Sequence, residues 1–156
     1  MKPTPALTIW EPWASLCADG HKPVENRGWS TPYRGPLFIH AGRTRDEKEF
    51  TAARLTYWGP GPLAPENRWP YPPGMDAPFA YGGIIGICNL VDVVTRHKSR
   101  WHVPGKFGWV LEKPHRLPFV RMAGRQRLWT PPAEIEAKLR LILAKEGLAN
   151  VYPNAA

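Results

Sequence analysis

The run Gly82 to Thr95 limits this chain more than any other stretch. Ile84-Ile85-Gly86-Ile87-Cys88-Asn89-Leu90-Val91-Asp92-Val93-Val94 is almost continuously apolar and β-branched. A run of that kind is the strongest strand signal in the chain. Gly86 in its middle marks a bulge or a bend, as at the corner of a barrel. A second apolar strand is expected at Pro36 to Ala41, and shorter ones at Leu7–Trp10, Val24–Arg27, Gly108–Glu112 and Leu117–Val120, with Gly124 to Trp129 ending the sheet. Helices are expected at three places. Pro12 opens one that Gly20 stops. A second covers about 45–58, with Thr44-Arg45-Asp46-Glu47 spaced as a capping box and Gly59 at its end. A third opens at Thr130-Pro131, carries the apolar stripe Ile135, Leu139, Ile142 and Leu143, and is capped by Gly147. Five or six short strands in irregular order with flanking helices give an α+β domain built on a small, partly closed β-barrel.

The chain reads as one domain over 1–150 with a loose tail at 151–156, long enough to bury a core without staples. Residues 59–83 hold seven prolines and five glycines, with Trp69, Tyr71, Phe79 and Tyr81 among them. No regular element fits there, and the aromatics mark it as a segment that packs onto a neighbour, over a pocket or a sheet edge. Cys17 and Cys88 sit in apolar segments, fit no metal spacing and read as core residues. No apolar run approaches the ~20 residues of a membrane span, and the N-terminus has no signal-peptide character. The expectation is a cytoplasmic protein with no membrane partner, no metal and no cofactor.

Charge narrows the function. The net charge is +8. From Arg96 to Arg127 there are nine Lys/Arg and one acid, Glu112, so this segment carries the whole excess. Trp101, Phe107 and Trp109 are interleaved with it. Clustered positive charge with aromatics suits a phosphate backbone and stacked bases; a solvated basic face is the other reading.

A second polar cluster, Lys22, Glu25 and Arg27, lies between two apolar segments. On a strand, Glu25 and Arg27 share one face and Val24 and Asn26 the other. Such a grouping suits the floor of a polar pocket. Arg27 offers a planar fork to a phosphate or a base edge, and Lys22 a point charge. Glu25 can accept from the exocyclic amine of a base. Trp13, Tyr33 and Trp109 are candidates to stack on an unpaired base. Arg34, Lys106, Arg125 and Arg127 would steer the backbone. His40, at a strand end, is either part of this site or a hydrogen-bonded core histidine. A salt bridge between Glu25 and Arg27 that only shapes the pocket wall stays open as well.

The run Leu7-Thr8-Ile9-Trp10-Glu11-Pro12-Trp13-Ala14-Ser15-Leu16, then Gly20-x-Lys22-x-x-Glu25-x-Arg27, then Tyr33-Arg34-Gly35-Pro36-Leu37-Phe38-Ile39-His40-Ala41 resembles an ASCH domain. Gly83-Ile84-Ile85-Gly86 with Val91-Asp92, Gly108-Trp109-Val110-Leu111 and Gly124-Arg125-Gln126-x-Leu128-Trp129 extend the likeness over about 7–129. The resemblance, to a freestanding microbial-type member, implies a PUA-like barrel with a cleft beside it and recognition of RNA, single-stranded nucleic acid or a nucleotide. Some small relatives act as N4-acylcytidine amidohydrolases, with the motif lysine, a threonine at the motif's acidic position and a later glutamate. Lys22 and Glu25 are the candidate catalytic residues on that reading. Here, however, Glu25 stands at the threonine position and 96–106 holds no carboxylate. Other readings are RNA cleavage through Glu25, Asp92, a histidine and a divalent ion, and a protein-interaction module using the aromatic loop at 59–81.

Overall fold

The computed structural model describes residues 3–58, 69–71, 79–153 and 155. Among them run β1 (Ala6–Ile9), α1 (Trp13–Ala18), β2 (Val24–Arg27), β3 (Gly35–Ala41), α2 (Glu47–Trp58), β4 (Gly83–Val94), β5 (Phe107–Arg121), β6 (Leu128–Trp129) and α3 (Ala133–Lys145). The strands form one curled six-stranded sheet in the order β2-β5-β4-β3-β1-β6, a half-barrel flanked by helices. Only β1 and β3 pair in parallel; the other neighbours are antiparallel. The expected α+β, partly closed barrel is what the chain forms.

β4 is central; from Gly83 to Cys88 it is buried on both faces, whereas Val91 and Asp92 are exposed. Ile85, Cys88 and Leu90 enter the core beneath α1, while Ile84 and Ile87 face α3 with Leu139, Leu143 and Tyr152. The parity change between Ile85 and Ile87 coincides with a register shift between Ile84 and Gly86. Gly86 is needed for α1 to dock: a Cβ there would lie 2.8 Å from the Cβ of Ala18. Cys17 and Cys88 are buried free thiols, as expected.

Four details differ from the expectations. The strands anticipated at 108–112 and 117–120 are one element, β5. Its partner β2 covers only 107–110, so Pro114 and Pro118 fall where one side of β5 is open and their missing N–H groups break no ladder. Lys113, with φ 49, turns the strand between its halves. The capping box at 44–47 does not form; Asp46 caps α2 instead, its Oδ1 accepting from the Lys48 amide at 2.9 Å. Where a loose tail was expected from 151 on, Tyr152 is fully buried and Ala155 nearly so. Of the Pro/Gly-rich stretch, Gly59 and most of the following loop lie outside the described residues, but Trp69, Tyr71 and Phe79 pack around Leu16, Val24, Ala53 and Trp101. Tyr71 is buried there, and Trp69 and Phe79 are partly buried against the same cluster.

Candidate functional site

The approach to Lys22 is built by the end of α1. Gly20 takes φ 83, the Gly20 amide donates to the Cys17 carbonyl, and the His21 and Lys22 amides donate to that of Leu16. This is a Schellman closure, which glycine permits because it carries no Cβ. It turns the chain straight into β2. There Glu25 and Arg27 share a face, as strand parity requires, with Arg27 Nε 3.3 Å from Glu25 Oε1. Lys22 Nζ donates to Glu25 Oε2. Lys22 is 3 % exposed and Glu25 7 %, so these two charges are desolvated, with Arg27 partly buried beside them. Burial alone would raise the Glu25 pKa. The charges of Lys22 and Arg27, with hydrogen bonds from Lys22 and the Asn26 backbone, outweigh it and hold the carboxyl below its usual range.

Arg27 also ties the two sides of the half-barrel together. β1 pairs with β6 only through Ala6–Trp129 and Leu7–Leu128. The Thr8 carbonyl accepts from Arg27 Nη2 at 2.7 Å. On either side of this guanidinium lies a chamber, and the two share Thr8, Trp10 and Arg27.

The first chamber holds about 350 Å³. Lys22, Glu25 and Arg27 line it together with Trp13, Trp101 and Glu49. Lys22 Nζ sits 5.5 Å from the Trp13 ring centroid, Trp13 Nε1 donates to Glu49 Oε2 at 2.6 Å, and Trp101 meets Trp13 edge-on at 6.1 Å. Asn26 fastens the outer wall: its Nδ2 donates to the Trp101 carbonyl and its Oδ1 accepts from the Val103 amide. Trp10, 48 % exposed, stands on the rim.

The second chamber is larger, about 690 Å³. His40, Arg125 and Arg127 line it, joined by Trp29, Arg43 and Gln126. His40 Nε2 donates to the Met122 carbonyl at 3.0 Å and its ring meets Trp129 edge-on, while the buried Nδ1 has no hydrogen-bond partner among the described residues. Burial lowers the His40 pKa and the charge of Arg43 adds to that, against the pull of the Met122 carbonyl; the ring is neutral at pH 7.

Four residues expected at the site are elsewhere. Trp109, at 0 % exposure, is core and offers no face for stacking; its Nε1 donates to the Trp29 carbonyl, and Trp29 covers it edge-on. The Tyr33 hydroxyl donates to the Pro36 carbonyl, and burial pushes it up to about 12. Arg34 donates to the Thr31 and Tyr33 carbonyls and pairs with Asp92 at 3.1 Å. Lys106 sits on an exposed turn closed by its amide and the Val103 carbonyl, and lines neither chamber. Asp92 is thereby placed with Arg34, not with Glu25, so the grouping of Glu25, Asp92 and a histidine for a divalent ion does not assemble. The basic segment is not a single facing wall either. Arg100, Arg125 and Arg127 reach the chambers, whereas Arg116 grips Asp19 through two bonds of 2.6 and 2.8 Å.

Sequence reasoning missed Trp10, Trp29, Arg43 and Glu49. Glu49 is the notable one, because it brings to the first chamber a carboxylate that 96–106 lacks. Its spacing carried no sign of this: it looked like one acid among several in the first turn of α2.

The ASCH domain family model matches residues 7–117. The chain belongs to the ASCH domain family. That family is associated with RNA binding on a PUA-like fold. This ASCH domain is 26 % identical to mouse (Mus musculus) Activating signal cointegrator 1 and 25 % to the human (Homo sapiens) protein of that name, over 92 % of its own length in each case. It spans about a quarter of the length of these curated relatives, 25 % of each. Among solved structures, the ASCH protein of Zymomonas mobilis superposes with a TM-score of 0.54 at 14 % identity, covering 90 % of this chain and 95 % of that one. A point mutant of the same protein gives 0.55 at 14 % identity, covering 90 % and 99 %. Likeness at this identity concerns the fold. No helix of the described residues is long and apolar enough to cross a membrane.

Proposed function

We propose that this ASCH domain binds single-stranded nucleic acid, RNA foremost, by taking one unpaired base into the chamber over Lys22, Glu25 and Arg27. The observation that carries this is a buried, ionised Glu25 at the floor of a nucleoside-sized chamber with aromatic walls. Keeping three charges out of water is expensive, and a fixed acceptor flanked by fixed donors is what reading the edge of a base demands. Trp13 at the wall and Trp10 at the rim supply stacking faces, which serve any base and favour single strands. Titration of short fluorescein-labelled homopolymers, RNA and DNA, followed by anisotropy tests the reading. Binding to at least one RNA homopolymer is expected, with log K falling against log salt at a slope of about −3 if four cations meet phosphates. Absence of binding, or binding indifferent to salt, would defeat it.

A second reading draws support from one observation. Glu49 shares the first chamber with Lys22 and Glu25, so an ammonium and two carboxylates surround a nucleoside-sized space. Hydrolysis of an acylated nucleoside fits that inventory. Incubation with a panel of N-acylated nucleosides, read by chromatography, separates an enzyme from a binder. Turnover that disappears in Lys22→Ala and Glu49→Gln would establish it; no turnover above those controls would dismiss it.

A further inference from the structure

The second chamber has no part in the reading above, and its charge is arranged in the opposite way from the first. In the first chamber the cations have protein partners: Lys22 and Arg27 flank Glu25, and Arg100 Nη1 donates to the Tyr57 carbonyl at 2.7 Å. Among the described residues, none that lines the second chamber is a carboxylate. Arg43, Arg125 and Arg127 line it, and none of the three makes an ion pair or a side-chain hydrogen bond among the described residues.

These arginines are nevertheless held. The Arg127 guanidinium carbon lies 5.4 Å from the Trp29 ring centroid, a cation–π contact that fixes the group while leaving its N–H donors free. Arg127 has φ 59, in the left-handed region that a residue with a Cβ avoids unless its surroundings impose it, and such outliers gather at functional sites. Residue 124 has to be glycine for the loop to lie where it does. A Cβ there would fall 2.5 Å from His40 Cε1 and 2.6 Å from Thr8 Oγ1. The same Thr8 hydroxyl donates to the Arg125 carbonyl at 2.9 Å. The loop bearing Arg125 and Arg127 is thus fastened to β1.

We propose that the second chamber is a phosphate subsite, and that it takes the phosphate monoester of a nucleotide, or of a strand end, whose base occupies the first chamber. The proposal rests on the base-binding reading of the first chamber. Arg43, Arg125 and Arg127, with Arg27 shared between the chambers, face no carboxylate among the described residues. A phosphodiester brings one negative charge, whereas a monoester brings −1.5 to −2 at pH 7. Guanidinium forks match phosphate oxygens, which three point charges would not do as selectively. The chambers adjoin along Thr8, Trp10 and Arg27, which places a base in one beside a phosphate in the other.

Three short single-stranded RNAs of one sequence decide the matter: one with a 5′-phosphate, one with a 3′-phosphate and one with hydroxyls at both ends. Each competes against a labelled strand, with the wild-type domain and with Arg125→Ala/Arg127→Ala. One phosphorylated strand is expected to bind at least tenfold tighter than the hydroxyl-ended one, which also tells which end enters. The double variant, altered only at exposed side chains, should lose that increment, so that the phosphorylated and hydroxyl-ended strands bind it alike. Equal binding of all three strands to the wild type would overturn the subsite while leaving the base-binding reading intact. An increment that survives the double substitution would overturn it too. Failure of all three strands to bind would overturn the base-binding reading and the subsite with it.

Discussion

Arg27 Nη2 donates to the Thr8 carbonyl at 2.7 Å, joining the free edge of β2 to β1 on the far side of the sheet. The bond exists because β6 leaves β1 after Leu7, so the next carbonyl on β1 needs a donor. Arg27 meets that need while keeping Nε beside Glu25. A lysine has the charge without the fork. Arg27→Lys is expected to lower oligonucleotide affinity about tenfold, the loss of one charge-assisted contact. It should also destabilise the fold by about 1 kcal/mol, a drop in Tm of about 3 °C for a chain of this size. Anisotropy and thermal denaturation measure the two effects, and full affinity in the lysine variant would contradict the role given to the fork.

Glu25→Gln should be more damaging to stability than to folding specificity. It leaves Lys22 buried with half its compensation, a loss of about 3 kcal/mol that chemical denaturation would register. The pH dependence has a definite sign. Since the folded carboxyl lies below its ordinary value of 4.5, its contribution is present above about pH 4.5 and is lost as pH falls through the folded value. The variant should therefore show a shallower decline in stability on the acid side than the wild type.

Glu11 behaves in the opposite sense. Its carboxylate accepts from the Ser15 amide at 2.9 Å and from the Ser15 hydroxyl at 2.8 Å. Burial nonetheless raises it to about 7, against those bonds and the charge of Arg116. A raised folded pKa gives a contribution that is full below about pH 4.5 and disappears as pH climbs through about 7. The wild type should lose up to about 3 kcal/mol over that interval from this group. Glu11→Gln keeps an acceptor for the Ser15 amide and should flatten the profile between pH 5 and 7.5. An unchanged slope would show that Glu11 ionises normally.

What could be read in advance followed from local rules. β2, its shared Glu25–Arg27 face and the glycine that delivers Lys22 depend on strand parity and on one left-handed residue, both visible in the chain. β4 and the bend at Gly86 were legible because a doubly buried strand needs an unbroken apolar run. The continuity of β5 was hidden by Pro114 and Pro118, which argue against a strand unless one knows that β2 stops at residue 110. Trp109 was misjudged because its place among basic residues suggested an open face, and nothing in the chain says that Trp29 lies over it. Glu49 and Arg43 reach the chambers from α2 and the loop before it, and no spacing in the chain fixes where those approach the sheet.

Arg116 separates bulk charge from site geometry. It belongs to the basic segment, yet its guanidinium is engaged by Asp19, which also accepts from the Tyr71 hydroxyl at 2.8 Å. Arg116→Ala should cost about 2 kcal/mol of stability and leave oligonucleotide affinity within about twofold, since surface charge away from a ligand contributes little once screened. A loss equal to that of Arg127→Ala would mean that total charge, not placement, governs binding.

The central claim is that a base enters the first chamber, and the tryptophan indoles report on it directly. In a titration of ¹⁵N-labelled protein with a short single-stranded RNA, the Nε1–H resonances of Trp13 and Trp10 should shift progressively, and Trp101 with them. The indole of Trp109, sealed behind Trp29, should move least. Shifts confined to exposed residues outside the chamber, such as Lys138 on α3, with the Trp13 indole unmoved at saturation, would contradict the account.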